Sequence, residues 1–76
     1  MNELVRRWQA LAEAGLTVSI CYGRSKDRLI FSVDVMSRIG EIFSKPFAAE
    51  TLEQAIEIAE KESYQRGWIS RNDLRQ

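Results

Sequence analysis

The spacing of apolar residues along this chain changes twice, from a helical period to strict alternation and back, and that double switch directs it to an α+β fold. In the opening segment Leu4, Trp8, Leu11, Ala12 and Gly15 recur at offsets of three and four, which predicts a helix over roughly residues 3–14 with one buried stripe. Asn2 stands where a cap belongs. Gly15 suits the left-handed position after the last turn, where Leu16 can fold back onto Leu11.

From residue 17 to residue 22 the pattern alternates, with Val18, Ile20 and Tyr22 on one side and Thr17, Ser19 and Cys21 on the other. A second alternating run puts Leu29, Phe31, Val33 and Val35 on one face and Ile30, Ser32 and Asp34 on the opposite one. The polar stretch Gly23-Arg24-Ser25-Lys26-Asp27 between them reads as a hairpin connection. Ser37-Arg38-Ile39-Gly40 turns the chain again, and Glu41-Ile42-Phe43-Ser44 predicts a third, shorter strand. Its register stays open. Pointing Phe43 inward also points Glu41 inward, whereas pointing Ile42 inward exposes Phe43, a conflict that a bulge could relieve. Pro46 has no N–H for a ladder and is expected to end the strand.

Thr51-Leu52-Glu53-Gln54 then matches a capping box, and Leu52, Ala55, Ile56, Ala59 and Ser63 form the buried stripe of a long helix. Small residues at 55 and 59 would let it approach the sheet or the first helix closely. Gly67 stops it and Trp68 folds back over its last turn. The expected architecture is α-β-β-β-α, a three-stranded antiparallel sheet with two helices packed on one face. Residues 1–68 form the domain. Residues 69–76 form a C-terminal tail, frayed or making one helical turn capped by Ser70 with Asp73.

A chain of 76 residues supports one core, and such cores carry only about 3–5 kcal/mol of net stability without a disulfide, a metal or a partner. A second copy is therefore one candidate partner. Cys21 is the single cysteine, which excludes an internal disulfide and suits a reducing compartment. With no long apolar run and no secretion-type start, the expected location is cytoplasmic, without membrane contact.

The chain has no histidine, which removes the commonest general base and zinc ligand together, and it has neither a phosphate-binding P-loop nor a G-x-G-x-x-G turn. The expectation is a protein that is not an enzyme and that uses no cofactor or metal. Cys21, with no histidine to activate it, reads as a small apolar filler.

Eleven Lys and Arg offset eleven Asp and Glu, so charge matters only locally. Between residues 50 and 62 five glutamates face one lysine, a local charge of −4. At roughly 100° per residue, Glu53, Glu57, Glu60 and Tyr64 share one helix face. That face is either solvated surface or a ridge with an aromatic anchor that docks a basic protein groove. The alternative site is basic: Arg24, Lys26 and Arg28 around the first hairpin, with Arg6 or Arg7 of the first helix, could grip phosphates. Ile30 and Ile58, off their buried faces, are further candidates for a partner surface.

With Asn2-Glu3-Leu4 opening the first helix and Phe31-Ser32-Val33-Asp34-Val35 in the middle strand, the element order resembles a double-stranded RNA-binding domain. That resemblance implies recognition through the first helix, the first hairpin loop and a Lys-rich start to the last helix. Here that helix opens Ala49-Glu50-Thr51-Leu52-Glu53, whose glutamates would oppose phosphates. Phe47, Thr51-Leu52 and Ala55-Ile56 after three strands also resemble many short bacterial and prophage proteins of unknown function. The leading expectation is a small non-catalytic protein-interaction module, an accessory or inhibitory factor of bacterial or prophage type, that uses the Glu53, Glu57, Glu60 and Tyr64 face or the uncovered face of the sheet. The alternative is duplex-RNA binding.

Overall fold

In the computed structural model, which describes residues 2–71, the elements run α1 (Glu3–Glu13), β1 (Thr17–Ser25), β2 (Arg28–Met36), β3 (Ile42–Ala49) and α2 (Leu52–Gln65). The strands form one antiparallel sheet in the order β1-β2-β3, and both helices pack on the same face of it. The expected cap between Ser70 and Asp73, and residues 72–76 of the tail, lie outside the described residues.

Each helix begins and ends as its local chemistry dictates. Asn2 Oδ1 accepts from the Leu4 amide at 2.7 Å, and Thr51 Oγ1 accepts from the Gln54 amide at 3.1 Å, contacts worth about 1 kcal/mol each. Gln54 completes its box one residue further out than expected, accepting from the Glu50 amide at 2.9 Å. At the far ends the chain reverses through Gly15 (φ +99°) and Gly67 (φ +75°). The Leu16 amide donates to Leu11 O and the Trp68 amide to Ser63 O, which draws Leu16 and Trp68 into the core.

That core is one cluster. Val33 and Val35 of the middle strand are fully buried against Ala55 and Ala59 of α2, with Leu11, Leu16, Ala49, Trp68 and Ile69 around them. The alternation read for β1 and β2 holds, because Val18 pairs with Val35, Ile20 with Val33 and Tyr22 with Phe31. Leu29, at the hairpin end of the same face, extends past the helices and is exposed.

Several expectations are corrected. Ala12 of α1 is exposed while Ala10 is buried, because the stripe leans toward α2 rather than centring on Leu4, Trp8 and Ala12. Gly23 pairs with Ile30 inside the hairpin, so the connection shrinks to Lys26-Asp27, with Lys26 at φ +58°. Pro46 does not end β3. The ladder shifts register there instead: Val33 pairs with Lys45 and Phe31 with Ala49, so β3 spends extra residues around Pro46 and Phe47. Phe47 takes φ +51°, and its amide donates to Ser32 Oγ at 3.0 Å.

The open register of β3 resolves with Phe43 opposite Val35 on the helix side and Ile42 opposite Met36 on the uncovered side. Glu41 escapes the conflict because its Oε1 accepts from the Trp68 indole Nε1 at 3.2 Å. Ile69, assigned to the tail in sequence, is buried in the core.

Two substitutions test this packing. At Gly15 an added Cβ would overlap Cγ and Cδ of Arg38 as well as strain the positive φ. Gly15→Ala is expected to cost about 1–2 kcal/mol in urea unfolding, and a Gly15→Ala/Arg38→Ala double variant to recover only the steric part. The Ser63 hydroxyl is buried and meets no hydrogen-bond partner among the described residues. Ser63→Ala should therefore keep or raise the melting temperature, by up to about 1 kcal/mol, and a clear loss would point to a partner for that hydroxyl.

Candidate functional site

The acidic face of α2 does form, since residues three and four apart on a helix share a side, but it is not free. α1 lies against α2, and Arg7, on the flank of the α1 stripe that faces α2, reaches across. Arg7 Nε stands 3.1 Å from Glu60 Oε2 and Nη2 2.6 Å from Oε1, a two-pronged pair largely withdrawn from water. Glu53 lies 3.9 Å from the same guanidinium. The Arg7 pKa is raised above its ordinary value, first by the Glu60 hydrogen bond, against desolvation, and then by the charges of Glu60, Glu57 and Glu53. A raised arginine pKa means that the guanidinium's share of this stability is present below its ordinary value and is lost only as the arginine gives up its proton in strong alkali.

Of the predicted protein-binding set, Glu60 is thus committed to α1 and Glu53 is half engaged, while Glu57 and Tyr64 stay exposed. Glu50, at the helix entrance, pairs with Arg28 of β2.

The basic candidates are not brought together. Arg7 is taken by Glu60 and Arg28 by Glu50. Arg6 is exposed on α1. Arg24 stands opposite Leu29 and so follows the helix-side parity of β1, whereas Arg28 follows the parity of the uncovered side; Lys26 sits in the turn between them. Arg24 and Lys26 carry no ion pair among the described residues.

A different surface emerges around the β2–β3 turn. Met36 and Ile42 are cross-strand partners on the uncovered side, 41% and 66% exposed, and Ile39 at the tip of the turn is 81% exposed. The turn is rigid, since Ser37 N–H donates to Glu41 O at 2.8 Å and Ser37 Oγ accepts from the Glu41 amide at 3.0 Å. Beside it a shallow cavity of about 160 Å³ opens between Ser37, Arg38 and Ile39 on one wall and Gly67 and Trp68 on the other. Arg66, next to Gly67 in the chain, pairs with Glu62 at 3.5 Å and stacks on two rings, its Cζ 4.9 Å from the Phe43 ring centroid and 5.5 Å from that of Trp68.

The pairing of Met36 with Ile42 depends on the β3 register, so only Ile39, next to Gly40 in a polar turn, could have signalled this corner in sequence. The uncovered face also carries Thr17, Ser19, Cys21, Asp34 and Ser44, all exposed, and, nearer the hairpin, Ser32 and the candidate partner residue Ile30, both half-buried. Cys21 is therefore a solvent-facing thiol rather than a core filler. Ile58, proposed as a partner contact, instead packs half-buried against the core.

Among the described residues no group of three or more Cys, Asp or Glu side chains could hold a metal ion, and no helix is long and apolar enough to cross a membrane. Comparison with protein-family models, with curated proteins and with solved structures finds no match to this chain.

The Arg7–Glu60 pair is a structural clamp by this geometry. Glu60→Gln, which keeps one acceptor and removes the charge, should lower stability by about 1 kcal/mol, a fall of about 4–8 °C in melting temperature. Glu57→Gln on the same face should leave it unchanged, and equal losses for the two would deny the clamp.

Proposed function

We propose that this protein is a small non-catalytic interaction module that docks another protein through the corner formed by Met36, Ile39 and Ile42. The supporting observation is three exposed aliphatic side chains at the hydrogen-bonded β2–β3 turn, Ile39 in the turn and Met36 and Ile42 on the strand ends beside it, next to a shallow cavity walled by Ile39 and Trp68. Methionine, aromatic and arginine side chains are enriched where proteins meet, and a contiguous apolar corner exposed on a small domain is costly unless something covers it part of the time. A partner would fill the cavity with one apolar side chain and cover the aliphatic trio. Arg66 supplies a polar rim.

The acidic ridge contributes less to this reading, because Arg7 engages Glu60 and stands 3.9 Å from Glu53, and Arg28 engages Glu50 at the helix entrance. The same pairs weigh against the duplex-RNA alternative. Arg7 sits on the first of the three elements that the resemblance would assign to phosphate contacts and Arg28 borders the second, and each already faces a carboxylate.

Replacing Ile39 and Ile42 together by Asp tests the corner. Both are surface positions, so the melting temperature should move by no more than the equivalent of about 0.5 kcal/mol per site. Proteins captured from the native lysate by the wild type should be lost with the double variant and kept with Glu53→Lys/Glu57→Lys. The reverse pattern would return the function to the acidic face. In a salt titration no binding to duplex RNA is expected even at about 20 mM salt, where phosphate contacts are strongest.

A further inference from the structure

The two edges of the sheet are built differently. Along β3 the outer edge is broken by Pro46, which has no N–H, by the register shift and by the left-handed Phe47. Along β1 nothing of the kind occurs. Thr17–Ser25 pairs residue for residue with β2, without proline, bulge or shift.

The two-residue turn fixes which β1 groups point outward. Ser25 and Arg28 close it as a hydrogen-bonded pair, and alternation then turns the N–H and C=O of Val18, Ile20, Tyr22 and Arg24 away from β2. An independent contact agrees, because Trp8 of α1 donates its indole N–H to the Val18 carbonyl at 3.1 Å. α1 thereby covers the Val18 end of the edge, and among the described residues no hydrogen bond reaches the outward backbone groups of Ile20, Tyr22 and Arg24.

We infer that this free edge, residues 20–24 of β1, is completed by the same segment of a second copy, running antiparallel about a two-fold axis at Tyr22. The free segment is symmetric about that residue. Ile20 would face Arg24 of the partner copy and Tyr22 would face its own mate, each pair exchanging two hydrogen bonds, about six in all. No like charges oppose each other, because the single cation of the segment, Arg24, meets an isoleucine.

Tyr22 is 70% exposed although its ring already leans on Phe31, centroids 6.0 Å apart, and the mate's ring would cover its other side. α1 adds to the contact. Val5 and Ala12, both exposed and uncharged, lie on the Trp8 side of α1, away from the Arg7 side that meets α2. Antiparallel pairing of the two β1 strands places both α1 helices on one face of the joined sheet with those sides toward each other. This edge is separate from the Met36, Ile39 and Ile42 corner, which stays open in the dimer.

Sedimentation equilibrium of the full chain tests the inference. The wild type should show twice its 8.8 kDa mass at high concentration. Tyr22→Pro removes an N–H that the β1–β2 ladder does not use, so circular dichroism should persist while the mass halves. Tyr22→Lys keeps the N–H but sets ammonium against ammonium, and should weaken association at least about tenfold. For the register, Tyr64→Phe leaves Tyr22 as the last tyrosine, and photo-oxidation should then yield a covalent dimer with dityrosine fluorescence. A wild type that stays monomeric at about 1 mM, a dimer that survives both Tyr22 substitutions, or a dimer without dityrosine would overturn the assignment.

Discussion

The fold depends on the close approach of α2 to the middle strand. Ala55 and Ala59 have no side chain beyond Cβ, and Val33 and Val35 beneath them are wholly removed from water. Larger residues at 55 or 59 would lift the helix and open the layer beneath it. With α2 seated, its last turn delivers Trp68 into the core, and the Trp68 indole in turn holds Glu41 at the start of β3. One tight contact thus sets the helix, the chain reversal after it and the register of the third strand.

The same seating explains how charge is distributed. α1 has little of its own to bury, with Ala10 and Leu11 its only fully buried residues, so its position relies on the pair that Arg7 makes with Glu60. A run of glutamates that looks like an electrostatic signal in one dimension is, in three, partly the receiving half of a joint between helices. Arg28 and Glu50 repeat the arrangement at the surface, where solvent leaves such a pair worth little.

Periodicity made much of the fold legible. The hairpin of β1 and β2, the capped start of α2 and the glycine reversals at 15 and 67 are local events governed by residues within one or two turns, and they stand where the pattern puts them. The presence of β3 was legible, but its register and its extent past Pro46 were not, because the proline interrupts alternation and a bulge leaves no periodic trace. Glu41 looked misplaced only while its partner, Trp68, was out of view 27 residues away. For the candidate site the limit was the same. The shared face of Glu53, Glu57 and Glu60 follows from helical spacing, but the arginine that engages it lies 53 residues before Glu60. The corner at Met36 and Ile42 exists only once two strands are in register. The difference between edges is legible after the fact, in that one outer strand contains the sole proline and the other none.

The kink at Pro46 and Phe47 bears on how large any assembly of this protein can grow. A sheet that can be extended from both sides propagates into fibres, whereas one side closed by geometry makes each addition the last. Whatever strand binds the open side, growth stops after a single step, and the protein can keep one adhesive border without the hazard of polymerisation.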